Sequence, residues 1–344
     1  MKTLEEKRQR IFSVLIIFFL FSQLSGQTEL PKSKHYNLEK LADGVYAAIH
    51  NDNGGYAICN AGIIDIGNKT IVIDPFISPE AARDLKRHAE ELTGKAVSLV
   101  INTHDHSDHI RGNQVFIPDA DIIGTAAARE TILKYFQLGV ENDKIHAPEG
   151  LESFARKLED ASEDEKAELV YRYGYYKAIV ESLPELKMVP PNITIIDTTI
   201  IYGTKRKIIL IPTGIGHSWG DMIIYLPEDS ILFMGDLLFN ERHPYIGGDY
   251  ESWNSTLKKV VLLKPKIVIP GHGAVGDVNS VYALSDYFET LKELVVHEIE
   301  KGTDEKEITE LPIPEKYESW WYKGKYPGSL QTIYKKEIDK NKNK

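Results

Sequence analysis

The sequence predicts a layered α/β domain, interrupted by a helical insertion at about residues 125–185. Three observations predict it. Short runs of β-branched and apolar residues alternate in blocks with amphipathic helical patterns, the order expected of sheets covered by helices. Ligand-type residues sit just past the carboxyl ends of several strands, where sites collect in α/β sheets. A charged, Ala- and Tyr-containing stretch at 151–183 has a helical period and separates the first group of these residues from the others.

The elements follow in order. Residues 45–49, 57–66 and 70–73 read as strands, separated by the turn signals Asn51-Asp52-Asn53-Gly54-Gly55 and Gly67-Asn68. A helix fits 79–93: Ser78 caps it, Pro79 suits its first position, Ala82, Leu85, Ala89 and Leu92 form one face, and Gly94 stops it. Residues 97–102 form a buried-type strand and 122–123 suggest another. Helical patterns cover 125–138 and 151–183. Strands return at 193–197, 207–211, 222–226, 230–234 and 266–269, with a helix at 251–263 before the last. A long helix fits 278–301, with Leu284, Tyr287, Phe288, Leu291, Leu294 and Val295 on one stripe and Gly302 at its end. Residues 303–344 are expected to form a C-terminal extension packed on the domain through Trp320 and Trp321, its charged last ten residues, 335–344, frayed.

The N-terminus has a different character. Lys2, Lys7, Arg8 and Arg10 precede an apolar run from Ile11 to Phe21 broken only by Ser13, and Ser25 and Gly26 follow. This is the layout of a secretory signal peptide over residues 1–26, with cleavage after Gly26. The run is too short to span a bilayer comfortably, although an uncleaved anchor is the competing reading. The expected product is exported, periplasmic or extracellular, with no stable membrane insertion after cleavage.

Composition bounds the function. The 344 residues are 42% hydrophobic and 27% charged, a globular balance. Asp and Glu number 51 against 41 Lys and Arg, a net charge of -10, which argues against a nucleic-acid partner; the expected partner is a small-molecule substrate. Cys59 is the single cysteine, so an intramolecular disulfide, Cys-rich zinc folds and Cys-ligated iron–sulfur clusters are excluded. It lies in a strand pattern and reads as a small buried apolar residue rather than a nucleophile.

The chemistry concentrates at residues 104–109, His-Asp-His-Ser-Asp-His, directly after the strand at 97–102. Imidazole and carboxylate suit zinc, iron and similar ions. Histidines two apart on a loop can face the same way, so His104 and His106 can chelate one ion, while the adjacent Asp108 and His109 can diverge toward a second. Three later strands are followed by Gly216-His217, Gly235-Asp236 and Gly271-His272. Glycines there allow the sharp turns that bring backbone close to a site.

The pattern His104-x-His106-x-Asp108-His109, followed by His217, Asp236 and His272, resembles the signature of the metallo-β-lactamase superfamily. The flanking Thr103, Gly214-x-Gly-His217-Ser-Trp-Gly-Asp221, Phe233-Met-Gly-Asp236 and Pro270-Gly-His272-Gly fit as well. The resemblance covers about residues 38–300. It implies a four-layer αββα sandwich spanning a hydrolase domain at 27–302. It also implies two zinc ions per chain, one held by His104, His106 and His217, the other by Asp108, His109 and His272, with Asp236 bridging; iron or manganese are the alternatives. An aspartate stands where the best-known lactamases carry a cysteine, which points to the broader hydrolase branch.

Two close cations would lower the pKa of bound water, so that a bridging hydroxide attacks the carbonyl of an ester, thioester, lactone or lactam. Asp108 would orient that nucleophile as well as bind metal. A mononuclear iron dioxygenase acting on persulfides is the competing reading on the same fold. It would need His104, His106 and Asp236 but not all seven residues.

The remaining polar positions carry less. Asp105 and Asp221 either fix histidine tautomers or cap loops. Asn113 reads as a turn residue. His243 reads as a surface histidine, with the pocket mouth as the alternative. Asn51 to Gly55 reads as a turn near the site. Tyr171, Tyr173, Tyr175 and Tyr176 are packing residues in the first instance and a lid in the second.

Overall fold

Runs of β-branched residues long enough to cross a core once, separated by glycine turns, build two sheets in the computed structural model of the chain. The structure describes residues 29–342, apart from the side chains of 164 and 341, and residues 33–342 belong to one compact unit. The expected targeting segment 1–26 lies outside the described residues.

The first sheet has seven strands in sequence order: β1 (Tyr36–Ala42), β2 (Val45–His50), β3 (Ala61–Asp65), β4 (Thr70–Ile73), β5 (Val97–Ile101), β6 (Asp121–Thr125) and β7 (Ile193–Ile195). Its first four strands are antiparallel neighbours and its last four are parallel. The second sheet has five strands: β8 (Thr199–Tyr202), β9 (Lys207–Gly214), β10 (Asp221–Leu226), β11 (Ile231–Phe239) and β12 (Ile267–His272), with only β11 and β12 parallel.

Apolar faces meet between the sheets. Ile64, Ile71, Ile73 and Ile101 of the first pack with Leu210, Met222, Ile224 and Phe233 of the second. Fully burying a side chain of this kind stabilises by roughly 1.5–3 kcal/mol. Helix α1 (Pro79–Thr93) covers the outer face of the first sheet, with the Ser78 hydroxyl accepting from Ala81 N and Gly94 left-handed at its C-cap. Helices α5 (Tyr250–Val260) and α6 (Val278–Lys301) cover the second sheet through Trp253, Leu257, Leu284, Phe288 and Leu291. The layers are therefore αββα.

The insertion is a helical hairpin. After the short helix α2 (Ser107–Ile110), α3 runs Ala126–Glu159 and α4 runs Glu163–Ser182. The sequence pattern breaks this region at 138; the structure carries α3 through Gly139 and Pro148. The chain turns instead at 160–162, where Ser162 and Glu165 form a capping box.

Two further expectations are corrected. Residues 57–60 precede β3 rather than starting it. Asn60 N donates to Gly271 O at 2.7 Å, and its side-chain amide donates to Pro270 O and Gly273 O at 2.9 and 2.8 Å, which ties this segment to the end of β12. The tail does not fray through residues 335–342. Helix α7 (Glu305–Thr309) is followed by α8 (Tyr326–Lys342), whose Lys336 and Lys340 pair with Asp249, Glu251 and Glu337. Leu330 and Ile333 of α8 are buried in the same cluster as Tyr287 and Trp320, and that apolar contact holds the helix down.

Candidate metal centre

Each strand end delivers its residues for a local reason. β5 stops at Ile101, and Asn102 and Thr103 carry the chain into the turn that presents His104, His106, Asp108 and His109. Thr103 is fixed to Asp74, just past β4: its backbone N donates to Oδ1 at 2.8 Å and its hydroxyl to Oδ2 at 2.6 Å. His217 lies in the loop between β9 and β10. Its following Ser218 donates from both N and Oγ to Asp221, so Asp221 shapes the loop. Asp236 falls within β11 where the register with β12 shifts. Gly235 there is left-handed, and a Cβ on it would lie 2.4 Å from Thr103 Oγ1. Gly271 admits Asp236 to the site: a Cβ on it would lie 1.9 Å from Asp236 Oδ1.

The seven residues expected from the sequence fall into two groups, His104, His106, His217 and Asp236, and Asp108, His109 and His272, each with its ligand atoms within 4.8 Å of one another. His217 Nε2 lies 2.9 Å from His106 Nδ1 and 3.2 Å from Asp236 Oδ2. Asp236 Oδ2 also faces His104 Nε2 at 3.9 Å and His272 Nε2 at 3.3 Å, while its Oδ1 faces His109 Nε2 at 3.0 Å. Asp236 thus stands between the groups. Asp108 Oδ2 lies 3.3 Å from His272 Nε2.

Hydrogen bonds behind the histidines settle which nitrogens are free. The Thr103 hydroxyl donates to the Asp74 carboxylate, so it accepts from His104 Nδ1 at 3.0 Å. His109 Nδ1 donates to Asp74 Oδ2 at 2.9 Å, and His217 Nδ1 donates to the Tyr245 carbonyl at 2.9 Å. Nε2 of all three is left for the site, the arrangement a metal-binding imidazole requires. Asp74 was not singled out by the sequence pattern. An acid directly after the strand 70–73 is the signal that could have found it.

Electrostatics divide the cluster. Burial, then the neighbouring His109, pushes the His104 pKa well down, and burial with His217 takes His106 to about 3. Burial opposes charge on His272 as well, but Asp236 and Asp108 outweigh it and lift the group to about 9. Burial likewise disfavours ionised Asp236, yet His272, His109 and His217 hold it well below the usual carboxylate range. His104 Nε2, His109 Nε2 and Asp236 Oδ1 are buried without a hydrogen-bond partner. Unpaired polar atoms converging in a buried site are costly, and a divalent cation is what such a donor set satisfies. The residues present therefore fit the metals that the resemblance implies.

The cluster opens into a cavity of about 390 Å³ whose walls include Tyr171, Arg172, Tyr175, Tyr245, Tyr322 and Lys325. The insertion thus supplies one wall, and the C-terminal extension supplies another. Cys59 is buried outside any strand, donates to Asp108 O at 2.9 Å, and has its thiol pushed up to about 12 by burial. Asn113 is held by Asn102 and Val189 O. Asp105, beside Asp221 and Ser218, is pushed up to about 6 chiefly by burial. The turn at 51–55 packs on α4, where a Cβ on Gly174 would lie 2.7 Å from Gly54 Cα. His243 is no surface residue: it is 0% exposed, because Tyr287, Trp320 and Tyr326 enclose its ring.

Comparison with known proteins agrees with this architecture. The family model of the metallo-beta-lactamase superfamily matches residues 54–272. The chain belongs to that superfamily. The 2,4-dinitroanisole O-demethylase subunit alpha of Nocardioides sp. (strain JS1661) is 24% identical over 238 residues, 67% of this chain and 54% of that protein. The chain thus spans about half the length of that relative. A UPF0173 metal-dependent hydrolase of Lysinibacillus sphaericus (strain C3-41) is 25% identical over 217 residues, 61% of this chain and 79% of that protein. Among solved structures, the stereoselective inverting sec-alkylsulfatase Pisa1 from Pseudomonas sp. superposes with a TM-score of 0.64 at 16% identity, covering 88% of this chain and 50% of that one. A metallo-beta-lactamase from Pontibacter korlensis gives 0.53 at 14% identity, covering 73% and 97%. These likenesses are of fold. No helix among the described residues is long and apolar enough to cross a membrane.

Proposed function

We propose that this chain is an exported dinuclear zinc hydrolase acting on the carbonyl of a small ester, thioester, lactone or lactam. The observation that carries the reading is the position of Asp236, whose carboxylate faces both histidine groups, Oδ1 toward His109 and Oδ2 toward His104, His217 and His272. His104, His106 and His217 would hold one zinc, and Asp108, His109 and His272 the other, with Asp236 shared between them. Bound in this way, the metals would lower the pKa of water toward neutrality and polarise the carbonyl oxygen.

The chain's own residues do the rest. Asp108 is the carboxylate of the site with the more exposed side chain, 17% against 4% for Asp236, and it lines the cavity. Burial opposes its charge, but His109 and His272 keep it ionised. In this reading Asp108 orients the attacking water as well as binding metal. Tyr171 and Tyr322 wall the cavity, with the Tyr171 hydroxyl donating to Ile58 O at 3.1 Å. Export rests on the charged, apolar and small-residue order of residues 1–26.

Elemental analysis of the purified chain, prepared without chelator or added metal, tests the reading. About two zinc per chain with turnover on an ester, thioester, lactone and lactam panel supports it. About one iron per chain with oxygen uptake on persulfides overturns it.

A further inference from the structure

We propose that Arg172 and Lys325 form a subsite for an anionic group, a carboxylate or an oxoanion, carried by the substrate at a distance from the bond that is cleaved. The proposal deepens the hydrolase reading and rests on it.

The two cations come from parts of the chain that sequence motifs do not reach. Arg172 projects from α4 in the insertion, and Lys325 ends the 3-10 turn Lys323–Lys325 in the extension. Both line the cavity that holds Asp108 and His272. With Tyr322 they also line a wider cleft of about 700 Å³ that continues between α4 and the segment 319–325.

Neither side chain has a carboxylate partner among the described residues. The Arg172 guanidinium lies 5.3 Å from the Phe154 ring centre, and Lys325 Nζ lies 5.2 Å from that of Tyr245. Aromatic faces orient a cation without neutralising it. Burial, and next the charge of Arg172, lowers the Lys325 pKa, so the two cations feel each other across the cavity. Of the carboxylates near them, Asp108 and Asp236 belong to the histidine cluster. Glu165 is engaged by Ser162, and Glu168 lines only the wider cleft. Two like charges that share a cavity, partly desolvated and without a carboxylate partner, are unfavourable; an anion that accepts from both removes the penalty.

The position is built rather than incidental. Trp321 N donates to Glu241 O at 3.0 Å, His243 N donates to Trp321 O at 2.8 Å, and Lys325 N donates to Tyr322 O at 2.8 Å. The Arg242 guanidinium lies 4.8 Å from the Trp321 ring centre. The extension thus presents Lys325 from a fixed backbone, and little ordering is left to be done on binding.

The test uses two esters with the same leaving group, mono-4-nitrophenyl glutarate and 4-nitrophenyl pentanoate, and the matching pair of non-hydrolysed anilides for calorimetry on the zinc-loaded chain. The expected result is a kcat/KM ratio favouring the anionic ester by at least about tenfold, carried by KM, with tighter binding of the anionic anilide. Arg172→Met and Lys325→Met are each expected to collapse both preferences, and Lys325→Arg to retain them. A preference that is missing in the wild type overturns the proposal. So does one that survives both methionine variants, since the carboxylate would then be going to the metals. Turnover without charge preference leaves the hydrolase reading standing and removes the subsite. Anion binding that depends on Lys325 and Arg172 without turnover of any ester does the reverse.

Discussion

Asp74 Oδ2 accepts the Nδ1 hydrogen of His109 at 2.9 Å. The same oxygen accepts the Thr103 hydroxyl, which in turn accepts from His104. One buried carboxylate therefore orients a histidine in each of the two groups. Outer partners of this kind fix the ring and the tautomer of a metal-binding imidazole. Asp74→Ala is expected to weaken metal binding by about 10–100-fold, read by competitive titration against a chromogenic chelator. Unchanged affinity would show that Asp74 serves only the fold.

The two groups make separable predictions about stoichiometry. His272→Ala is expected to leave about one metal per chain, and Asp236→Asn to leave fewer, by the shared-ligand argument. Asp108→Asn and His104→Ala are expected to abolish turnover while the far-ultraviolet circular dichroism stays that of the wild type. Two tightly held metals in the Asp236→Asn protein would refute the shared carboxylate.

Gly271 carries no chemistry yet controls the site. A methyl group there would overlap Asp236 Oδ1 and approach Asp236 N at 2.8 Å. Gly271→Ala is expected to displace Asp236, lower the melting temperature and cut metal content, measured on one preparation by calorimetry and elemental analysis. Full metal occupancy in this variant would mean that β11 and β12 can part without disturbing the cluster.

His243 predicts an acid limb of stability. Burial lowers its pKa from 6.5 to about 4, opposed by a hydrogen bond with the Tyr317 backbone. The unfolded chain binds its proton first as pH falls. The contribution is therefore complete above the unfolded value and is lost between 6.5 and about 4. His243→Gln is expected to flatten the dependence of the urea midpoint on pH over that window. Parallel curves for variant and wild type would assign the acid limb to other groups.

Much of the fold was legible because its signals are local. Ser78, Pro79 and Gly94 mark both ends of α1, and the apolar stripe of 278–301 marks α6. The insertion was placed at its actual bounds, but its interior was misread: Gly139 and Pro148 look like breaks, and packing of α3 on α4 overrides them. Helix α8 was missed because its charged sequence hides two buried anchors, Leu330 and Ile333. His243 was misplaced for a related reason. Nothing beside it in sequence announces that Trp320 and Tyr326, far along the chain, will close over it.

By itself, the sequence determined the layered α/β class, the superfamily resemblance and the seven ligand-type residues, because spacing along a loop and position after a strand are one-dimensional properties. Only the tertiary structure decided that Asp236 stands between the two groups, that Asp74 braces both, and that Arg172 and Lys325 face one cavity. Those relationships join residues from strands, insertion and extension. The convergence of their side chains follows from sheet register and helix packing, which no short stretch of sequence contains.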